Sequence, residues 1–207
     1  MSLSRSRYKF IYFSRTPFTT DLAVYAHELA FEYFSGVPRK IVYDQDKVFL
    51  VKENLGDLIL THGFRALVRE HGFEPVFCRK SDPESKGKIE NVVKYVKYNF
   101  LRGREFTSIE QLNEEVQAWL QRTANGMEHH GIRRIPSVEF EMERPHLMPY
   151  RGIPTIPSPK LLPHHVRKDN VITYKGNYYS VPTGTYQGHR TQVYLEEKEE
   201  MLYIYSL

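Results

Sequence analysis

The chain has 207 residues, 41% hydrophobic, 26% charged and 14% aromatic, enough for one medium domain and a small one. Glycine and proline are ordinary at 12 each, and no run approaches the roughly 18 apolar residues of a spanning helix, which argues against collagen, disorder and membrane insertion. A lone cysteine, Cys78, makes neither an internal disulfide nor a thiolate zinc site and points to the cytoplasm, while a net charge of +4 decides nothing about nucleic acid by itself.

In chain order, Arg7–Ser14 (RYKFIYFS) alternates apolar and polar residues and predicts a strand. Thr19, Thr20 and Asp21 offer N-cap oxygens, and Leu22, Ala26, Leu29 and Tyr33 recur at helical spacing until Gly36 and Pro38 stop the pattern. The short run Ile41-Val42-Tyr43 predicts a buried parallel strand with Asp44 at its C-terminal tip. Lys47–Thr61 reads as a hairpin around the turn-like Glu53-Asn54-Leu55-Gly56-Asp57. A short helix over about His62–His71 ends at Gly72, and Phe73–Cys78 reads as a second buried strand.

The polar loop Arg79–Lys88 then leads into Ile89, Val92, Val93, Val96 and Phe100, helical periodicity over three turns. A second helix follows Ser108, with Gln111 at the capping-box position, and Pro136 suits the first turn of a third. Six of the twelve prolines lie between Pro145 and Pro163 and predict a stiff linker, dividing a core with a helical extension (residues 1–144) from a β-rich tail (164–207). In the tail, Val171–Tyr174 and Tyr178–Val181 flank the tight-turn signal Lys175-Gly176-Asn177. Thr191–Leu195 and Met201–Tyr205 add strands, so the tail reads as a small partial barrel.

Two carboxylates stand out by placement. Asp44 follows a predicted parallel strand and Glu90 lies one turn into the helix after the polar loop; strand tips and helix starts meet on the ligand-binding edge of α/β folds. Paired carboxylates suit hard Mg²⁺ ions that also contact substrate phosphates. The residues leave plainer readings open, because an Asp after a strand is a common turn former and Glu90 precedes Lys94 by four residues, an ordinary helix ion pair. At roughly 100° per residue, Glu90, Lys94 and Lys97 share one flank, which suits a phosphate-bearing substrate and equally a solvated face. His129-His130 and His164-His165 have no cysteines nearby and read as surface or loop residues. Tyr174, Tyr178, Tyr179 and Tyr186 serve either base stacking or barrel packing. Neither a Gly-x-x-x-x-Gly-Lys-Ser/Thr phosphate loop nor a Gly-x-Ser-x-Gly elbow is present.

The stretches Asp82–Lys97 (DPESKGKIENVVKYVK) and Gly36–Lys47 (GVPRKIVYDQDK) resemble the integrase core of bacterial insertion-sequence transposases, in the family that works with an AAA+ ATPase helper. The resemblance continues through Ala124–Arg144, with His130, Pro136 and Glu139, to Tyr179-Ser180-Val181-Pro182. It implies a ribonuclease-H-like α/β core, here truncated, followed by helices and a small barrel. It further implies DNA as partner, and an Asp-Asp-Glu triad with Mg²⁺ or Mn²⁺ for cleavage and strand transfer at transposon ends. By motif position Asp44 resembles the second Asp and Glu90 the terminal Glu, both as catalytic metal ligands. Lys94 and Lys97, with Lys86, Lys88, Arg102 and Arg104, are implied as DNA contacts.

The family's first catalytic Asp lies on the first strand of its sheet, whereas Arg7–Ser14 resembles the third. Asp21 reads as a helix-start residue and Asp46 as a loop residue. The expectation is a core lacking its first two strands, inactive by itself, whose open edges favour homo-oligomers. The alternative is a non-catalytic DNA-binding or oligomerisation module derived from a transposase.

Overall fold

Thr19 starts α1 (Thr20–Phe34) by accepting a hydrogen bond from the Leu22 N–H, and Ser35, left-handed at φ 50°, ends it. The computed structural model describes residues 1–54, 57–78, 83–152, 154, 162–198 and 201–206, and divides into two units, Met1–Pro157 and Ser158–Leu207. Along α1 the fully buried line is Ala23, His27, Ala30, Phe31 and Phe34, while the predicted stripe of Leu22, Ala26, Leu29 and Tyr33 is half-buried beside it. The helix is therefore covered on more than one face.

In the first unit, β1 (Lys40–Tyr43) pairs in parallel with β4 (Glu74–Phe77), Lys40 opposite Glu74 and Tyr43 opposite Phe77. Parallel strands need a long crossover. Here it comprises the antiparallel hairpin β2 (Leu50–Asn54) and β3 (Asp57–Leu60) and then α2 (His62–His71), which Gly72 ends at φ +69°. Phe31, Val37, Ile41, Tyr43, Phe64, Leu67 and Phe73 form the core between these helices and the sheet. Val42, by contrast, is 46% exposed, so burial alternates along a strand predicted to be covered throughout. Among the described residues this sheet has two strands and one covered face.

Arg7–Ser14 forms no strand of any sheet among the described residues. Tyr8 and Phe10 bond the backbone of Leu3 and Met1 through an isolated antiparallel bridge, and side-chain amides pair residues 9, 11 and 13. Asn125 accepts from the Lys9 N–H and donates to the Lys9 carbonyl, both at 2.8 Å; Gln117 donates to the Ile11 carbonyl at 2.9 Å. Asn113 accepts from the Phe13 N–H at 2.8 Å and donates to its carbonyl at 2.9 Å. Residues 9, 11 and 13 repeat with the two-residue period of extended chain, so three amides satisfy the edge opposite the one bonded to Met1 and Leu3. Asn125→Ala is expected to lower the unfolding free energy by about 2 kcal/mol, because it strips partners from two backbone groups of buried Lys9. An unchanged urea midpoint would show that water replaces the amide without cost.

α3 (Pro83–Val96) starts six residues before the predicted first apolar position Ile89, so part of the expected polar loop is helical. Proline at the first helical position loses nothing by lacking an N–H. Glu90 is accordingly two turns into α3, not one; Arg79–Asp82 and the side chains of residues 83–89 lie outside the described part. α3 runs on through a π-helical turn, Lys97–Leu101, and α4 (Ile109–Trp119), capped by Ser108 as predicted, runs on through another, Leu120–Ala124. Val96, Phe100, Val116, Trp119, Leu120 and Ala124 make a second core between them. α5 (Pro136–Glu143) begins at the predicted proline.

The second unit holds an antiparallel sheet of β5 (Leu162–His165), β8 (Gln192–Lys198) and β9 (Met201–Ser206), in the order β5-β8-β9. The hairpin β6 (Val171–Tyr174) and β7 (Asn177–Ser180) turns at Lys175 and Gly176, with φ of 48° and 80°, as a primed two-residue turn requires. Val166, Ile172, Val181, Val193 and Leu195 form its core. The described strands form two small sheets and do not close a barrel. His164 and His165, expected on the surface or in a loop, lie on β5, His165 exposed and His164 half-buried; Pro163 opposes Tyr194 on this edge strand. Among the described residues, no helix is long and apolar enough to cross a membrane.

Candidate metal and nucleic-acid site

Asp44 directly follows β1 and is exposed. Its Oδ1 accepts from the Gln45 N–H at 3.0 Å, and the Asp46 N–H returns to the Asp44 carbonyl at 3.0 Å. Asp46 Oδ1 accepts from the Val48 N–H at 2.9 Å, so Asp46 also builds the turn that holds Asp44 at the sheet edge. Beneath the turn, Tyr43 is buried and its hydroxyl donates to His27 Nε2 at 3.0 Å. His27 Nδ1–H donates to the Ala23 carbonyl at 2.6 Å, and since a carbonyl only accepts, this bond sets the tautomer. Burial pushes the imidazole pKa down to about 4 and the Tyr43 phenol up.

Asp44 lines a cleft of about 1480 Å³ in the first unit. The same cleft is lined by β1, by Phe10, Ile11 and Tyr12 of the amide-bound segment, and by Asn91, Val92, Val93 and Tyr95 of α3. Among the described residues β1 pairs only with β4, so its other edge is open to further pairing. Glu90 is exposed on α3, immediately before the cleft-lining Asn91. The two predicted carboxylates thus sit on two elements that border one cleft, Asp44 in its wall and Glu90 next to it.

The predicted cations divide into groups. Lys94 and Lys97 are exposed along α3 and its π-helical turn, on the flank of Glu90. Lys86 and Lys88 lie in α3, and their side chains are outside the described part. Arg102 is exposed at the end of the π-helical turn. Arg104 is held by the protein itself: its Nε donates to the Phe100 carbonyl at 3.1 Å, its guanidinium sits 4.2 Å from the Phe100 ring centre, and it pairs with Glu115.

Sequence reasoning missed the His27–Tyr43 pair and the three amides, because each acts on a residue remote in sequence. It also missed Lys9, which is 4% exposed and lines the cleft. Glu28, Glu70 and His71 bring potential ligand atoms within 4.8 Å of one another. There the Glu28 carboxylate is already engaged by His71 Nε2 (2.8 Å) and the Tyr150 hydroxyl (2.7 Å), a clamp that ties α1 to α2 and to residue 150.

No family model matches the chain. It is 58% identical over 204 residues to the transposase for insertion sequence element IS21-like of Bacteroides fragilis, covering 99% of this chain and 39% of that protein. It is 34% identical over 154 residues to the IS21 transposase of Pseudomonas aeruginosa (74% and 39%), and 31% identical over 209 residues to the IS232 transposase of Bacillus thuringiensis subsp. berliner (98% and 47%). A solved simian T-cell lymphotropic virus intasome in complex with PP2A regulatory subunit B56 gamma aligns at a TM-score of 0.42 and 15% identity, covering 93% of this chain and 63% of that one. That likeness is too loose to carry the fold. The chain spans 39–47% of the length of these curated transposases. Over nearly its whole length, the chain is homologous to transposases of IS21-type insertion sequences.

Proposed function

We propose that the chain is part of a DNA transposase, contributing a truncated ribonuclease-H-like core to metal-dependent cleavage and strand transfer at transposon ends. The observation that carries this reading is Asp44, exposed in a cleft wall at the tip of a parallel strand, with the Glu90 helix along the same cleft. Exposed carboxylate oxygens fit a hard divalent cation, Mg²⁺ or Mn²⁺, which would polarise a phosphodiester and activate its attacking oxygen. Asp44 and Glu90 would hold it. They would fix the cation beside the sheet edge, Asp44 from its hydrogen-bonded turn and Glu90 from α3. Lys86, Lys88, Lys94, Lys97 and Arg102 would hold the DNA backbone; Arg104 would do so only by giving up its contacts with Glu115 and Phe100.

Two carboxylates match the family's set of three, so the 207-residue chain is proposed to bind metal weakly and to be inactive alone. The open edge of β1 is where a further strand carrying the third carboxylate would add. That edge also favours association with a second copy of the chain, and the resemblance adds an AAA+ ATPase as helper. The rival reading is a non-catalytic DNA-binding or oligomerising module; it would keep the lysines and dispense with the metal.

Mn²⁺ binding, followed by the EPR signal of the free ion, separates the two. Weak binding is expected, lost in Asp44→Asn and in Glu90→Gln; Mn²⁺ binding unaffected by both substitutions would sink the metal assignment. DNA affinity is expected to fall steeply with salt, each phosphate contact adding about 0.9 to the log–log slope. Lys94→Ala combined with Lys97→Ala should lower that slope by roughly two, and an unchanged slope removes both lysines from the interface.

A further inference from the structure

Lys9 is a buried cation without a counter-charge. It is 4% exposed, and its ammonium donates to the Arg7 carbonyl at 2.8 Å and lies 5.9 Å from the Tyr95 ring centre. Among the described residues no carboxylate is within ion-pair distance of Lys9 or Arg7. Instead, further basic groups gather there. Arg7, Lys9, His129 and His130 all line the cleft, and the charges of Lys9 and Arg7 lie close enough to add to burial in lowering the His129 pKa. His129 Nδ1 accepts from the Gly131 N–H at 3.1 Å, which leaves the ring proton of neutral His129 on Nε2 as a donor. The carboxylates nearby are occupied or exposed: Glu143 accepts from the Ser6 N–H at 2.8 Å, and Glu128 is exposed.

An unpaired buried ammonium is costly: burial, and then the Arg7 charge, push the Lys9 pKa down to about 8, and an anion beside it would offset that cost. We propose that Lys9, Arg7 and His129 form an anion-binding corner of the cleft that receives a phosphate of the nucleic-acid backbone. The proposal rests on the reading of this unit as a DNA-processing core, and adds to it a contact on the amide-bound segment, away from the α3 lysines in sequence. A phosphate there is held by an ammonium, a guanidinium and the His129 Nε2–H, and it supplies the counter-charge that Lys9 lacks among the described residues.

The test uses the 207-residue chain and its Lys9→Met variant, which keeps the stem's volume and removes the charge. A short fluorescein-labelled duplex should bind the variant more weakly, with the salt slope reduced by about 0.9, so the gap between the two proteins shrinks about 3.5-fold between about 50 and about 200 mM salt. Inorganic phosphate should raise the thermal midpoint of the unaltered chain and not that of Lys9→Met. His129→Leu, at a half-buried position, should shift the slope in the same direction and serves if Lys9→Met does not fold. Folded variants with an unchanged slope overturn the proposal. A response to inorganic phosphate with no change in DNA binding overturns the nucleic-acid source. A response to poly-glutamate alone overturns the phosphate assignment and identifies a polypeptide carboxylate as the counter-charge. Mn²⁺ binding at Asp44 and Glu90 is read separately, so failure here leaves that assignment standing, and failure there leaves this one testable.

Discussion

Lowering the pH from about 7 to about 4 is expected to remove about 3 kcal/mol of unfolding free energy from the first unit through one imidazole. His27 is buried under the Asp44 turn, and burial holds its pKa at about 4, against 6.5 in the unfolded chain. Between those values the unfolded chain takes up a proton that the native imidazole refuses. The stabilisation is therefore fully present above the unfolded pKa and is lost as the pH falls toward the native one. Protonation also turns Nε2 from acceptor into donor, which breaks the bond from the Tyr43 hydroxyl. Carboxylates titrate in the same range, so the measurement is a difference: urea unfolding of the unaltered chain and of His27→Phe at a series of pH values. The variant strands the Tyr43 hydroxyl at every pH but should lack the extra acid slope. Parallel curves would show that His27 takes up its proton without disturbing the fold.

Phe64→Ala is expected to cost about 4 kcal/mol, a larger loss than any other substitution considered. Phe64 is fully buried in α2, with ring centres 4.9 Å from Phe49, 5.0 Å from Tyr43, 6.1 Å from His27 and 6.3 Å from Phe73. Those neighbours come from three strands or loops and α1, so the void cannot be closed by one side chain turning. The consequence reaches the site. Tyr43 loses the ring against which it packs edge-on, and with it the rigid support of Asp44. Chemical denaturation reads the stability loss, and weaker Mn²⁺ binding by the folded fraction reads its effect on the carboxylate. A loss below about 1 kcal/mol would mean that the aromatic cluster repacks, contrary to its interlocked geometry.

Both predictions turn on residues that the sequence marks only as hydrophobic or helical. Thr19, Ser108 and Pro136 were legible as helix starts, and Gly72 as a helix end, because capping involves groups within four residues of one another. The strand before Asp44 and the hairpin turn at Lys175-Gly176 were legible for the same reason, through β-branched clustering and turn chemistry. Asp44 and Glu90 came from motif resemblance, and the cleft gives them a common border without having been visible in their spacing.

Alternation along Arg7–Ser14 predicted a strand that does not form; it matches the two-residue spacing of the backbone groups paired at residues 9, 11 and 13 but carried no information about their partner. Lys9 is bound by Asn125, 116 residues away, and Phe13 by Asn113, 100 residues away. A side-chain amide and a strand satisfy the same backbone groups, so only the assembled fold chooses between them. In the same way, composition counts Lys9 as one more surface cation, whereas the fold buries it against Tyr95 and Arg7 with no acid beside it. The sequence by itself determined the helices, the turns and the tip on which Asp44 stands, since these rest on local hydrogen bonds and periodicity. The tertiary structure decided what pairs with the N-terminal segment, which face of β1 is covered and which charges go unpaired, since burial and long-range hydrogen bonding exist only once the elements pack.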